Sequence, residues 1–383
     1  MNQTLDDSPP GAFDVCIVGL KCFDLLTNAD MPRYLGGIER MLVALGRGLA
    51  ASGLRVAFVT FDESDGQPVH AGDIWIFPAF RPDAGIKGLR PLHPKLTLLT
   101  RAMARTRANV YLQMGAGIET LMTTLAARWL LRKTMLYCLA SDSDCLPDVP
   151  LVESKLEAKL YLWALRHVHQ RVSQTLAQEK LLRDNFGLDS IVIPMPHHPV
   201  KAPPDNLPSL PHSGIEVIWV GRIVEGKRLE LYVELAKRLP QITFHVIGSP
   251  NQASAYSLRV LDQANQVANI KVHGRVGESE LYQLFLRSHL LCCTSEIEGF
   301  PATFIEAWSF SMPVLTTFDP DGVVSKEKVG IVVGSVDELV SGLLEMTGDS
   351  QAYSEMALRS RTYYLNHYTV DAVIPAFRSL IER

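Results

Sequence analysis

Six short, uninterrupted apolar runs in the first half of the chain constrain its fold more than any other feature. They span 15–20, 56–60, 74–77, 110–113, 134–140 and 191–193, and segments of helical period separate them. Runs that are continuous rather than alternating are what strands buried on both faces look like, and such strands need helices on either side of a parallel sheet. Seven prolines between positions 194 and 211 then forbid any periodic element. A second series follows at 216–220, 243–247, 270–273, 290–294, 313–316 and 331–333. The expectation is α/β, two Rossmann-like, doubly wound parallel-sheet domains facing across a cleft, where ligands bind beyond the carboxyl ends of the strands. The boundaries expected are 1–195 for a first Rossmann-like domain, 196–213 for the Pro-rich linker and 214–360 for a second Rossmann-like domain, with a helix over 361–383 packing back on the first domain.

A length of 383 residues suits about two domains, and a net charge of −4 argues against bulk nucleic-acid binding. The first ten residues are polar and acidic, without the positive and apolar regions of a signal peptide, and no run reaches the roughly 18 apolar residues of a membrane span. The six cysteines show no Cys-x-x-Cys spacing, and four lie in strand-like runs. They read as reduced core thiols of a cytoplasmic protein.

The stretch 295–308 carries a buried strand into Gly299-Phe300-Pro301 and then into a helix, with Glu298 and Glu306 on either side of its start. Proline suits the first helical position, so the helix is expected to begin at Pro301, leaving the N–H groups of Ala302, Thr303 and Phe304 free to receive a phosphate. A carboxylate beside an anion site would repel the anion unless it reads neighbouring hydroxyls. Sugar, diphosphate and ribose in one ligand would satisfy both.

The strand 216–220 runs directly into a loop holding Gly221, Arg222, Gly226 and Lys227, after which leucines recur at helical spacing. An Arg can grip a diphosphate through two N–H groups, and a Lys adds a mobile point charge. A surface salt bridge to Glu225 or Glu230 is the plainer alternative.

Gly221-Arg222 with Lys227 five positions later, and Glu298-Gly299-Phe300-Pro301 with Glu306 eight after Glu298, resemble the retaining GT-B glycosyltransferases of family 4. The similarity also takes in Gly36-Gly37, the turn at Gly274-Arg275-Val276 and the segment 307–313. The resemblance implies that Arg222 and Lys227 bind the donor diphosphate and that Glu306 holds the ribose hydroxyls. It also implies that Glu298 touches the transferred sugar, that Gly274, Arg275 and Val276 meet the base, that the amides between Phe300 and Thr303, Ala302 among them, add phosphate contacts, and that Gly299 and Pro301 belong to the donor site.

Several first-half residues bear on the same reading. Gly36-Gly37 precedes an amphipathic helix and permits close backbone approach to a donor, although the dinucleotide spacing is absent and both could be turn glycines. Relatives often carry a histidine after the fourth strand and another after the next; here Gln113 and Gly115 stand in the first place, and Asp142 and Asp144 in the second. Gln113 could bond sugar hydroxyls or merely satisfy main chain. Asp142 or Asp144 could take a proton from an acceptor hydroxyl, or cap the following helix in solvent. Segment 81–107 holds seven basic residues and one acid, with leucines interleaved, and is either a contact for the anionic inner face of a membrane or a solvated helix face. His197, His198 and His212 sit among the prolines and read as hinge residues rather than metal ligands.

The function expected is transfer of a sugar from a nucleotide-sugar donor, a UDP-sugar for preference, to a hydroxyl of a glycan or lipid-linked acceptor. Neither cofactor nor metal is expected. The rivals are a glycoside hydrolase using Glu298 and Glu306, a nucleotide-sugar epimerase of the same fold and a noncatalytic sugar-nucleotide-binding protein.

Overall fold

The computed structural model describes residues 11–383 apart from 30, 35, 86–90, 151, 153, 198–209, 212–213 and 251–253. The chain divides into two compact units, one of residues 1–196 with 370–383 and the other of residues 197–369. Most of the proline-rich linker, with His198 and His212, lies outside the described residues.

The first unit is built on eight strands: β1 (Val15–Val18), β2 (Val56–Thr60), β3 (Val69–Ala71), β4 (Ile74–Pro78), β5 (Val110–Met114), β6 (Thr134–Cys138), β7 (Gln170–Ser173) and β8 (Ile191–Val192). Their order is β3-β4-β2-β1-β5-β6-β7-β8, parallel except for the β3–β4 hairpin. The chain thus starts in the middle of the sheet, with Val15 of β1 level with Val56 on one side and Val110 on the other. Strands β1, β2, β4 and β5 are buried along their whole length, as continuous apolar runs require.

Two strands escaped the apolar pattern. β3 is a short edge strand, and β7 reads Gln-Arg-Val-Ser, with Arg171 directed to the carbonyls of Leu165 and Arg166. Segment 361–383 divides rather than acting as one element. The helix Ser350–His367 stays in the second unit, and only the helix Val370–Ile381 joins the first. There it packs on the helix Gly37–Ala51 at Gly48, where a Cβ would stand 2.7 Å from side-chain carbons of Ile374 and Val370.

The second unit holds β9 (Glu216–Val220), β10 (Thr243–Ile247), β11 (Ile270–Gly274), β12 (Leu290–Cys293), β13 (Val314–Thr316) and β14 (Gly330–Val332). All are parallel, in the order β11-β10-β9-β12-β13-β14. The order reverses between β9 and β12, and at such a switch point the connections leave to opposite faces and open a crevice at the strand ends. Phe244, Tyr232, Leu290 and Leu339 are among the fully buried residues of its core. All six cysteines are buried and free. Among the described residues no helix is long and apolar enough to cross a membrane.

Candidate donor site

The loop after β9 and the loop after β12 meet at the switch point. Lys227 ends a short 3-10 turn, Glu225–Lys227, and its ammonium forms an ion pair with the carboxylate of Glu298. Both side chains are mostly but not wholly withdrawn from solvent, at 26% and 16% exposure. A small cavity beside them is lined by Trp219, Lys227, Ser295, Glu298 and Thr303. The cationic loop and the glutamate-bracketed turn thus share one place. Neither Glu225 nor Glu230 takes the lysine.

Hydrogen bonds fix this meeting. Arg228, in the left-handed region at φ 47°, donates to the carbonyls of Thr294 (2.8 Å) and Ser295 (3.2 Å) and to Oγ1 of Thr317 (2.8 Å). Thr294 Oγ1 donates to Lys227 O at 2.6 Å and accepts from Trp219 Nε1 at 3.1 Å, while Glu296 N donates to Gly226 O at 2.9 Å. One planar guanidinium with several fixed donors suits this task where an ammonium would not. Sequence reasoning missed Arg228, because the adjacent Lys227 absorbed the basic signal.

The neighbouring strand ends approach through glycines. Gly221 N donates to Ile247 O at 3.0 Å and Gly248 N to Gly274 O at 2.8 Å. Gly248 has φ +146°, and a Cβ there would lie 1.8 Å from Gly221 O. Arg222, just beyond, is exposed and forms no ion pair among the described residues. Arg275 is exposed and Val276 buried past the end of β11, two strands from the switch point.

The helix is Ala302–Ser309, so Pro301 is its N-cap, with extended ψ 118°, and not its first residue. The N–H of Phe304 is not free as expected, for it bonds Pro301 O at 3.0 Å. The helix thereby tightens by one residue, and Ala302 and Thr303 carry the leading amides. Gly299 and Phe300 are buried; the Phe300 ring packs at 4.9 Å on Tyr368 and 5.9 Å on Trp308, leaving its main chain for any ligand.

Glu306 is 5% exposed, and its Oε2 lies 2.6 Å from Nε2 of His197. The approach is close without the alignment of a hydrogen bond, and His197 Nδ1 has no hydrogen-bond partner among the described residues. His197 is held by its own backbone, its N–H donating to Tyr368 O (2.9 Å) and its carbonyl accepting from Tyr364 Oη (3.2 Å). Burial raises the Tyr364 phenol to about 12. His197 is thus no loose hinge residue. Its proline neighbours hid it, and the pattern of a single chain holds no signal for the contact.

On the first unit, Gly36 is the N-cap and Gly37 the first residue of the helix Gly37–Ala51. The Glu39 carboxylate folds back so closely that a Cβ at Gly36 would stand 2.2 Å from it. Gln113 is inside β5 and 95% buried, and its Nε2 donates to the carbonyls of Met114 (2.8 Å) and Gly115 (3.0 Å), so its amide nitrogen satisfies main chain while its Oε1 has no partner among the described residues. Asp142 opens the 3-10 helix Asp142–Cys145 and is half-buried. Asp144 is not a solvated cap: it is buried, and its Oδ2 accepts from Ala140 N (2.8 Å), Ser141 N (3.4 Å) and Tyr137 Oη (3.3 Å). Burial pushes its carboxyl up to about 6, with the backbone donors pulling the other way.

The basic segment 81–107 has no open apolar face where it is described. Leu99 and Met103 are fully buried, Arg81 pairs with Asp65, Lys95 donates to Pro82 O, and Arg105 donates to Gly66 O. Lys87 and Arg90 lie outside the described residues.

Two Rossmann-like units, each built on a largely or wholly parallel sheet, are the GT-B fold of the solved glycosyltransferases that this chain superposes on. Residues 208–362 match the model of the family glycosyl transferases group 1. The O-antigen biosynthesis glycosyltransferase WbnH of Escherichia coli is 25% identical over 224 residues, 58% of this chain and 61% of the relative. The chain thus matches about three fifths of that relative's length. Sucrose-phosphate synthase from Thermosynechococcus elongatus superposes with a TM-score of 0.74 at 17% identity, covering 96% of this chain and 98% of that one. Anabaena HepE in complex with UDP and glucose does so with a TM-score of 0.72 at 12% identity, covering 96% and 99%.

Proposed function

We propose that the protein is a retaining glycosyltransferase that moves a sugar from a nucleotide-sugar donor, a UDP-sugar, to a hydroxyl of a glycan or lipid-linked acceptor. The observation that carries this is the Lys227–Glu298 pair at the reversal between β9 and β12. It puts a mobile cation and a carboxylate at the strand ends where a diphosphate and its sugar would lie. Support for UDP comes from the neighbour solved with UDP and glucose.

Negative charge develops on the departing diphosphate, so groups that bind it more tightly in the transition state lower the barrier. Arg222, exposed and in no ion pair among the described residues, and Lys227 take the diphosphate, joined by the leading amides of Ala302 and Thr303 and the main chain at Gly299, Phe300 and Pro301. Glu306 takes the ribose hydroxyls, Arg275 and Val276 the base, and Glu298 the transferred sugar, where its charge favours oxocarbenium character. The two cations make metal-independent transfer the expectation. Gly36 and Gly37, at a helix start where the Glu39 carboxylate folds back, are assigned to the donor, and Asp142 to the acceptor hydroxyl. Gln113, whose amide nitrogen is committed to main chain, acts by shaping the Gly115 turn.

The test is a panel of nucleotide sugars with glycan and lipid-linked acceptors, in the presence and absence of a chelator, with the anomeric configuration of the product read by NMR. Retained configuration, UDP release and no effect of the chelator are expected. Sugar release without a nucleotide product, or no UDP binding by calorimetry, would remove the reading.

A further inference from the structure

A second charged region lies on the first unit at the opposite edge of its sheet from Gln113 and Asp142. It sits where β5, β6 and β7 begin. An open depression of about 480 Å³ is lined there by Asn109, Arg128, Trp129, Arg132, Lys133 and His169, among others, with no acid in the lining. Arg128 lies over the Trp129 ring at 5.4 Å and donates to His167 O, and Lys133 Nζ donates to Asn109 Oδ1 at 2.7 Å. Arg128, Arg132 and Lys133 form no ion pair among the described residues. Three neighbouring cations without a counter-charge repel one another, and an anion placed among them relieves that cost.

The same face is apolar in an unusual way. Trp129 stacks on Trp163 at 5.3 Å, and Trp163 on His167 at 4.2 Å. Trp129 is 42% exposed, Trp163 39%, and Leu130 59%. Leu156, Lys159, Trp163 and Arg166 continue it as one exposed stripe of the helix Lys155–His167. Large exposed rings beside cations are what the boundary between headgroups and acyl chains favours.

We propose that this face, with Trp129, Leu130 and Trp163 inserted and Arg128, Arg132 and Lys133 at the phosphates, docks the protein on an anionic phospholipid surface. Other occupants suit it less well. A saccharide needs open ring faces, and these rings are stacked on each other and covered by Arg128. A second copy would bring six like charges together. Free phosphate would leave Leu130 and the tryptophans unused. Docking by the edge where the strands begin leaves the edge where they end, with Asp142, in water, and does not depend on the sugar-transfer reading.

The test is co-sedimentation of the full chain with phosphatidylcholine vesicles containing or lacking phosphatidylglycerol, followed by tryptophan emission. Trp75, Trp219 and Trp308 are buried, so an emission change reports Trp129 and Trp163. Binding is expected only to the anionic vesicles, with a blue shift, and the pair R132E/K133E is expected to bind at least tenfold more weakly. R132E alone, at an exposed position, serves if the pair fails to fold, and should still weaken binding several-fold. Equal binding by these variants overturns the proposal. So does binding of inorganic phosphate or dextran sulfate by a chain that ignores the vesicles. UDP affinity should be the same in all variants, which keeps this outcome separate from that of the donor site.

Discussion

His197 Nε2 stands 2.6 Å from Glu306 Oε2, and both side chains are shielded from solvent. Removing one member of a close buried pair takes away part of what holds the other. His197→Ala is therefore expected to destabilise the second unit by about 1–3 kcal/mol and to weaken UDP binding several-fold, since Glu306 loses a close neighbour that helps to aim it. Chemical unfolding and calorimetry measure the two effects. Unchanged UDP affinity in a folded His197→Ala chain would show that Glu306 needs no such support.

Lys227 is engaged by Glu298 before any donor arrives, so a diphosphate must compete with that carboxylate for the ammonium. Glu298→Gln removes the competitor while keeping the shape. UDP should bind at least as tightly as to the wild type, while kcat falls by on the order of a hundredfold as the charge facing the sugar is lost. Lys227→Ala and Glu306→Ala should both weaken UDP binding. A Glu298→Gln enzyme with normal kcat would take Glu298 out of the chemistry.

Gly248 admits no side chain, because a Cβ would meet Gly221 O at 1.8 Å in a backbone conformation that L-residues avoid. Gly248→Ala should push the Gly221–Arg222 turn off its place, costing about 1–3 kcal/mol and most of the UDP affinity. An unaltered titration with UDP would mean that the turn does not touch the donor.

Asp144 gives the first unit a dependence on pH. Its folded value of about 6 lies above the ordinary 3.8, so the native state holds the proton more tightly than the unfolded chain. The stability that protonation contributes is therefore full below about pH 4 and lost as the pH rises through 6. Asp144→Asn cannot ionise. Between pH 4 and pH 7 the wild type should lose about 2–3 kcal/mol relative to this variant in urea unfolding. Parallel curves would place the carboxylate in a better-solvated setting.

The sheets were legible wherever burial on both faces writes itself as a continuous apolar run, which holds for β1, β2, β4 and β5. β7 was not, because Arg171 spends its charge on carbonyls and leaves a strand that looks polar. Lys227 and Glu298 could be named from spacing, since a strand end followed by a turn fixes where such groups emerge. Their pairing could not, because it depends on the strand order placing β12 beside β9. His197 and Arg228 act through contacts with residues 109 and 66 to 89 positions away, and no local pattern encodes those distances. The Pro301 N-cap differs from expectation by one residue, the usual uncertainty of a helix boundary.

The hydrogen bond from His197 N to Tyr368 O joins the first and nearly the last residue of the second unit. That unit is therefore a cassette with its two ends side by side, inserted into a host that resumes at Val370. Holding such neighbouring ends together costs the host little more entropy than a short turn would.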